Sequence, residues 1–271
     1  MDKKPKVSVL MPAYNAQDYI GEAIESILNQ SFADFEFIIV DDCSTDKTWQ
    51  IIKDYSKKDK RIKPFKNKKN SGVTLTLNNG LKKCSGEYIA RMDSDDISMS
   101  QRLEKQISYM EKNNIDVLGA NIIFIDENGK SFGKRKYSKN IKKTIKLESP
   151  LAHPTVVFRK KLIDKFGGYE PEFNSAEDYD LWLRLWLKGA RISILNMFLL
   201  KYRQHRDTIK QTKTKKTLKT TIKVKLNAYK NYGLRPGIKG WLRLMAEASL
   251  IVLPKDLILG LFYFFTKQRN R

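Results

Sequence analysis

The fold is decided by the stretch Val7-Ser8-Val9-Leu10-Met11-Pro12-Ala13-Tyr14-Asn15, an apolar and partly β-branched run that ends in turn-forming residues. This pattern predicts a buried strand that enters a loop. Apolar residues then recur at helical spacing from 23 to 28, and a second apolar run, Phe35 to Val40, ends in the acidic segment 41–46. The order strand, helix, strand, polar loop is typical of a parallel α/β sheet.

The same order repeats further along the chain. Helical spacing between 49 and 55 is followed by a predicted strand near Ile62 to Phe65 and a predicted helix from Leu75 to Lys83. The run from Gly86 to Met92 then leads into an acidic cluster at 93–96. We predict an α/β, Rossmann-like and mainly parallel sheet with helices on both faces. Loops 12–15, 41–46 and 93–96 should converge at the carboxyl edge, where such sheets bind ligands.

Length and composition predict one large domain, residues 1–207, followed by a helical extension, residues 208–271. The chain has 271 residues, is 41% hydrophobic and carries a formal charge of +22, of which residues 201–271 contribute +15. The two cysteines and two histidines show none of the usual zinc-ligand spacings. The charged first six residues are not followed by the apolar h-region of a secretory signal peptide, so we expect a cytoplasmic protein.

The basic extension points to an anionic partner. Lysines alternate with apolar residues at helical spacing between 210 and 229, and nine apolar residues follow at 257–265. Pro254-Lys255-Asp256 interrupts the apolar stretch, which favours a helix lying on the inner face of the cell membrane over one crossing it. The alternative is that the extension packs on the main domain. Nucleic-acid binding would explain the charge, but zinc-finger, RNP-like and helix-turn-helix motifs are absent from the sequence.

The acidic cluster contains three carboxylates in four residues, Asp93, Asp95 and Asp96. Such carboxylates repel one another unless a cation or hydrogen-bond donors compensate them. Mn²⁺ and Mg²⁺ prefer oxygen ligands and commonly bridge carboxylates to substrate phosphates. A solvated turn or a helix N-terminus would contain the same residue types, so the cluster alone leaves both interpretations open.

Several motifs in the same order resemble family 2 glycosyltransferases of the GT-A fold, and the resemblance covers about residues 5–207. The main matching segments are Val7–Asn15, Phe35–Asp46, Gly86–Asp96 and Ala176–Leu185. Shorter matches are His153-Pro154-Thr155, Phe166-Gly167-Gly168-Tyr169 and Tyr202-Arg203-Gln204-His205. The resemblance implies transfer of a sugar from a nucleoside-diphosphate sugar, which we predict to be a UDP-sugar, to a hydroxyl of a glycan or lipid-linked acceptor.

The resemblance also implies a role for each matching position. The nucleotide pocket would be lined by Pro12, Ala13, Tyr14 and Asn15, and Asp42 would accept a hydrogen bond from the base. Asp95 would be the main metal ligand, Asp93 would support the sugar or ribose and also the metal, and Asp96 would be a weaker ligand. His205 would lie near the metal and Arg203 near the diphosphate. Asp178 would be the catalytic base of an inverting displacement, with Glu177 beside it; an acidic helix start is the alternative.

Two departures from the family pattern matter for function. Leu77 occupies the place before Asn78 where many members carry an arginine, so a phosphate contact from that place is not expected. The sequence also lacks the Gln-x-x-Arg-Trp motif of processive synthases, which favours addition of one sugar per encounter. A sugar-phosphate nucleotidyltransferase would share the acidic site, but it would normally carry a Gly-rich basic loop where this chain has Pro12-Ala13-Tyr14-Asn15.

Overall fold

The computed structural model describes residues 4–204 and 213–252. The strands are β1 Val7–Ala13, β2 Phe35–Asp41, β3 Ile62–Lys66, β4 Tyr88–Arg91, β5 Ile97–Ser98, β6 Val117–Ile125, β7 Ser131–Arg135, β8 Val157–Arg159 and β9 Ile192–Arg203. The α-helices are α1 Ile20–Leu28, α2 Thr48–Lys58, α3 Val73–Leu81, α4 Arg102–Lys112, α5 Ile141–Thr144, α6 Lys160–Phe166, α7 Glu177–Leu187, α8 Lys213–Asn231 and α9 Ile238–Val252. Short 3₁₀ helices span His153–Thr155 and Pro171–Phe173.

The described strands form one sheet in the order β3-β2-β1-β4-β8-β6-β9-β5, with β7 paired to β6. The first four strands are parallel, as the sequence predicts. Strand β8 is antiparallel to both of its neighbours, β4 and β6. Strand β5 pairs antiparallel with β9, and β7 pairs antiparallel with β6. The predicted α/β sheet is therefore confirmed as a mixed sheet: β1 to β4 are parallel, β6 also pairs in parallel with β9, and the antiparallel pairings are those of the short strands β5 and β8 and of the β6–β7 hairpin.

Both faces of the sheet are buried, which explains why its strands are continuous apolar runs. Side chains of a strand alternate between the two faces, so Val9 and Met11 of β1 face one apolar cluster and Leu10 faces the other. Helices α1 and α4 cover the first face, and α3 and α7 cover the second. Full burial of one such aliphatic side chain contributes about 1.5–3 kcal/mol, so this double core fixes the register of the strands.

Helices α8 and α9 lie within the predicted extension and pack against the main domain. Val224 and Ala228 of α8 are fully buried in the same cluster as Trp182 of α7. The buried Lys225 ammonium contacts Glu247 of α9 at 2.6 Å, and Arg243 of α9 contacts Glu148 at 2.9 Å. The described part of the extension is thus packed on the domain. The predicted boundary near 207 and the apolar run 257–265 lie outside the described residues.

Within residues 4–204 and 213–252, none of the helices combines the length and the apolar character that crossing a bilayer requires.

Candidate active site

The carboxyl ends of β1 and β2 are joined by hydrogen bonds, which confirms that loops 12–15 and 41–46 converge. The Asn15 amide N–H donates to Ser44 Oγ at 3.0 Å, and Asn15 Oδ1 accepts from the Thr45 N–H at 2.9 Å. Asn15 has a φ of +46°, a left-handed conformation that asparagine tolerates. Pro12 and Ala13 are buried, whereas Tyr14 and Asn15 are exposed and form the accessible part of the predicted nucleotide loop.

Asp42 holds the loop that precedes α3. Its Oδ1 accepts from Asn67 Nδ2 at 2.7 Å and from the Ser71 N–H at 2.9 Å, and its Oδ2 accepts from the Gly72 N–H at 2.8 Å. The carboxylate is 3% exposed. Its predicted hydrogen bond to a nucleotide base stays a prediction, and the structure adds a second role, since this carboxylate orders the 67–72 segment.

Asp93, Asp95 and Asp96 follow β4 and form a compact cluster. One carboxylate oxygen from each lies within 4.8 Å of the others. Asp96 is 1% exposed, its Oδ1 accepts from the Arg203 N–H at 2.9 Å, and its buried Oδ2 has no hydrogen-bond partner. Burial, and then the neighbouring charges of Asp93 and Asp95, raise the pKa of Asp96 well above its ordinary value. Three neighbouring carboxylates therefore repel one another, and the repulsion is strongest at the buried Asp96.

This donor set fits a divalent cation. All of its ligand atoms are carboxylate oxygens, the type that Mg²⁺ and Mn²⁺ prefer, and an unpartnered buried oxygen is aimed into the group. A bound cation would reverse the repulsion that raises the carboxyl pKa values. We assign Asp95 and Asp93 as the candidate ligands and Asp96 as the buried supporting carboxylate. His205 lies outside the described residues.

Arg91, at the end of β4, is the positive centre of the site. Its side chain is 5% exposed and forms an ion pair with Asp93. Burial lowers the pKa of the guanidinium, but Asp93 and then Asp96 offset this effect and the net pKa is raised. Burial raises the pKa values of Glu177 and Asp178, and the charge of Arg91 opposes part of that rise, so Arg91 acts on two separate carboxylate groups. Sequence analysis missed this residue, although a charge in a buried apolar strand is itself a signal.

Arg203 does not have the free guanidinium that a phosphate contact requires. Its Nε donates to the Asp95 carbonyl at 2.8 Å, and Nη1 donates to the Asp126 and Glu127 carbonyls at 3.1 and 2.9 Å. Its Nη2 contacts Glu22 at 2.5 Å. In place of the predicted phosphate contact, the structure shows Arg203 fixing the backbone of the acidic loop. Local sequence patterns do not reveal these acceptors, because they come from distant segments of the chain.

Glu177 and Asp178 begin α7, the helix that carries the predicted catalytic motif. Ser175, just before it, has a φ of +91°, a strained conformation for a non-glycine residue, and its N–H donates to Glu177 Oε2 at 2.8 Å. Ser149 Oγ donates to Asp178 Oδ2 at 3.1 Å. Burial raises the pKa of Asp178, and the Tyr179 N–H and the Ser149 hydroxyl partly counter it. Asp178 is thus an oriented carboxylate of increased basicity, and its catalytic role remains a proposal.

The matched His153 and Tyr169 pack next to this group. His153 Nε2 lies 2.8 Å from Tyr169 Oη, and the histidine ring also contacts Trp182 edge-on. Burial, and then the charge of Arg91, lower the pKa of His153 well below its ordinary value, so the ring is neutral. His153 is therefore a packed residue beside the site and is not part of the acidic cluster.

The departure at Leu77 has a structural counterpart. Leu77 is fully buried in the apolar cluster beneath α3. The Asn78 side chain forms hydrogen bonds with both backbone polar groups of Tyr169. Its Nδ2 donates to the Tyr169 carbonyl at 2.7 Å, and its Oδ1 accepts from the Tyr169 N–H at 2.9 Å. A Cβ on Gly168 would lie 2.5 Å from Asn78 Oδ1, so this close approach requires glycine. Position 77 supports the core here, and Asn78 anchors the 167–169 loop.

The α/β fold thus carries an all-carboxylate candidate cation site beside the buried Arg91, and a second carboxylate pair at the start of α7. The chain belongs to glycosyl transferase family 2, whose family description matches residues 8–167. The resemblance seen in the sequence motifs and the prediction of a GT-A type fold are confirmed.

Characterised and uncharacterised relatives extend this result. The chain is 44% identical to the uncharacterized glycosyltransferase MJ1057 of Methanocaldococcus jannaschii, over 74% of this chain and 71% of the relative. It is 39% identical to the O-antigen biosynthesis glycosyltransferase WbnJ of Escherichia coli, over 73% of this chain and 80% of that relative. It is 37% identical to the Escherichia coli UDP-Glc:alpha-D-GlcNAc-diphosphoundecaprenol beta-1,3-glucosyltransferase WfgD, over 77% of this chain and 81% of that relative.

Solved structures share the fold. TarS of S. aureus, residues 1–349 in complex with UDP-GlcNAc, superposes with a TM-score of 0.66 at 22% identity, over 91% of this chain and 80% of that chain. The mannosyltransferase PcManGT of Pyrobaculum calidifontis, in complex with GDP-Man and Mn²⁺, superposes with a TM-score of 0.63 at 15% identity, over 96% and 73%.

Proposed function

We propose that the protein is an inverting, metal-dependent glycosyltransferase that moves one sugar from a UDP-sugar to a hydroxyl of a glycan or lipid-linked acceptor. The observation that carries this proposal is the position of Arg91, whose charge acts on Asp93 and Asp96 and also on Glu177 and Asp178. Two carboxylate groups from different parts of the chain therefore lie around one centre. Sugar transfer needs both, one on the diphosphate side and one on the acceptor side.

The residues of the chain divide the reaction between them. Asp95 and Asp93 would hold a Mn²⁺ or Mg²⁺ ion, which when bound supplies positive charge to the departing diphosphate. Asp178 takes the proton of the acceptor hydroxyl, and the oxygen forms a bond to the anomeric carbon. The bond from that carbon to the diphosphate oxygen breaks, and the diphosphate leaves with the electron pair. Attack from the opposite side inverts the anomeric centre, and the raised pKa of Asp178 makes it a stronger base.

The donor and the acceptor are proposed from the relatives. WfgD is named for UDP-Glc and an acceptor on diphosphoundecaprenol, WbnJ for O-antigen biosynthesis, and TarS is solved with UDP-GlcNAc. These names support a UDP-sugar donor and a role in surface polysaccharide or glycolipid synthesis. PcManGT is solved with GDP-Man, so guanosine is the alternative base that the donor test must include.

A donor screen tests the proposal. Thermal unfolding of the full chain would be followed with UDP-, GDP-, TDP- and CMP-sugars, each with and without Mn²⁺. We expect a UDP-sugar to raise Tm only with the metal, because a ligand at a hundredfold excess over Kd stabilises the folded state by about 2.7 kcal/mol. Asp95→Asn should abolish the shift, and Asp164→Asn, at a 59% exposed ion pair on α6, should leave it unchanged. Equal shifts without metal, or tight salt-sensitive RNA binding in place of nucleotide binding, would contradict the proposal.

We also propose that α8 and α9 place the enzyme on the anionic inner face of the cell membrane. Residues 213–252 contain ten lysines and arginines and one glutamate. Ile238, Leu242 and Met245 lie on one side of α9 and are 81%, 57% and 58% exposed. An exposed apolar face on a strongly basic segment supports binding at a headgroup boundary, where lipid-linked acceptors are held.

Vesicle sedimentation tests the membrane proposal. The full chain should bind phosphatidylglycerol vesicles more tightly than phosphatidylcholine vesicles, and the binding should weaken as salt increases. The triple substitution Ile238→Ser, Leu242→Ser, Met245→Ser should reduce partitioning at least tenfold, because about 0.8 kcal/mol per buried CH₂ group is lost. Phe132→Ser, at a 58% exposed position on β7, is the matched control and should behave as wild type. Unchanged partitioning of the triple variant would refute the proposal that this side of α9 binds the membrane.

A further inference from the structure

A cavity of about 400 Å³ opens beside Asp178. Its walls come from the loop before the 3₁₀ helix His153–Thr155, which contributes Ser149, from the start of α7, and from Thr217 and Thr221 of α8. Glu247 of α9 completes the wall. Its size falls in the range of small-molecule sites and leaves room for roughly one or two sugar rings. The candidate base therefore lies in the wall of a half-open cavity that the C-terminal helices help to form.

The lining has the chemistry of a site for a neutral sugar. Hydroxyls of Ser149, Thr217 and Thr221 supply hydrogen-bond donors and acceptors, and the Tyr137 ring supplies an aromatic surface. The charged lining residues are one cation, Arg135, and three carboxylates, Glu148, Asp178 and Glu247. Glu247 and Glu148 are balanced by Lys225 and Arg243, so the lining keeps little net charge. The Asp178 carboxylate repels an acidic group placed beside it, whereas an uncharged sugar meets no such repulsion.

The walls are held in place by one buried ion pair and two partly exposed ones. Lys225 of α8 is 2% exposed and contacts Glu247 at 2.6 Å, and Arg243 contacts the same carboxylate at 3.1 Å. Arg243 also contacts Glu148 on the opposite wall at 2.9 Å. Breaking one partner of a buried pair is strongly unfavourable, so α8 and α9 are fixed against the domain. A preformed site of this kind places a ligand without a large ordering cost.

We infer that this cavity is the acceptor subsite, that it takes a neutral pyranose ring, and that Thr217 and Thr221 of α8 select it. The inference rests on the proposed function. The two threonines are four residues apart, so both hydroxyls lie on one face of α8. They would hold ring hydroxyls so that one of them points to the Asp178 carboxylate. The C-terminal extension then takes part in acceptor recognition as well as in membrane contact.

Ligand-observed NMR with the full chain loaded with UDP and Mg²⁺ tests the subsite. The probes are the methyl glycosides of glucose, galactose and N-acetylglucosamine, with methyl glucuronide as the acidic comparison. We expect the wild type to bind at least one neutral glycoside and not the glucuronide. The double substitution Thr217→Val, Thr221→Val should weaken that binding about tenfold, the loss expected for two neutral hydrogen bonds. Thr221→Trp should abolish it by filling the cavity.

Thr220→Val is the matched control, because the Thr220 hydroxyl donates to the Lys216 carbonyl at 3.0 Å within the helix. It should bind the glycosides as wild type does. UDP binding, measured on every sample, reports that each variant is folded. Wild type that binds UDP but no neutral glycoside, a preference for the glucuronide, or full binding by Thr221→Trp would overturn the subsite alone. Absence of metal-dependent UDP binding in the wild type would overturn the proposed function, and the subsite with it.

Discussion

Replacing Asp178 by asparagine is expected to lower kcat for sugar transfer by about a hundred- to ten-thousand-fold, the contribution of a positioned general base. The amide has nearly the same shape and still accepts from Ser149 Oγ, which donates to Asp178 at 3.1 Å. The fold and the cation site should therefore be retained, and Kd for UDP-sugar with Mn²⁺ should be unchanged. Steady-state transfer and nucleotide binding, measured on the same preparation, separate the two effects.

The dependence of the rate on pH gives this expectation an independent check. Asp178 acts as a base only when ionised, so transfer should fall as pH drops through its pKa. Burial raises that pKa. The acid limb of the pH–rate profile, where the transfer rate falls as the pH drops, should therefore have its midpoint above the ordinary aspartate pKa of about 3.9. Ser149→Ala removes a hydroxyl that favours the ionised form, so the limb should move to still higher pH. In Asp178→Asn the limb should disappear.

Glu177→Gln is the comparison variant on the same helix start. Glu177 Oε2 accepts from the Ser175 N–H, a contact that the glutamine amide oxygen preserves. Because no role as a base is assigned to it, transfer should fall far less than in Asp178→Asn. Equal losses in the two variants, or substantial activity in Asp178→Asn with an unchanged acid limb, would show that another group removes the proton.

Sequence periodicity was sufficient for the first half of the fold. Buried parallel strands are short apolar runs separated by helices, so β1, β2 and β4 and the loops after them were recognised. The convergence of Asn15 with the 44–45 segment follows from parallel strand direction alone. In the second half, β8 and β5 have three and two residues, too few for a periodic signal, and the antiparallel pairings that they make were not predicted.

Long-range contacts explain what the sequence missed in the site. Arg203 was predicted to contact the diphosphate, and the structure shows that its acceptors come from residues 95, 126 and 127 and from Glu22 in α1. Ser149 reaches Asp178 across 29 residues of chain. Arg91 was overlooked because the carboxylates on which its charge acts belong to two distant segments, the acidic loop beside it and the start of α7. Local patterns identified residue types suited to the chemistry, whereas their partners depend on how distant segments pack.

Arg91→Met is expected to destabilise the protein by about 3–5 kcal/mol, the cost of leaving buried charges without their partner. Arg91 is the buried cation of the ion pair with Asp93, and its charge also acts on Asp96 and Asp178. Methionine has a similar length and no charge, so packing changes little while the carboxylates lose their compensation. Urea unfolding in EDTA measures the loss.

Excess Mg²⁺ should restore part of the stability of Arg91→Met, since a cation held by Asp93 and Asp95 supplies positive charge to the same carboxylates. Arg191→Met is the matched control. Arg191 is 48% exposed and pairs with Asp116 at 3.4 Å, an arrangement that contributes about 0–1 kcal/mol. A loss in Arg91→Met no larger than in Arg191→Met would mean that the acidic cluster is compensated without this arginine. Recovery by Mg²⁺ in Arg91→Met but not in Arg191→Met would tie the buried charge directly to the cation site.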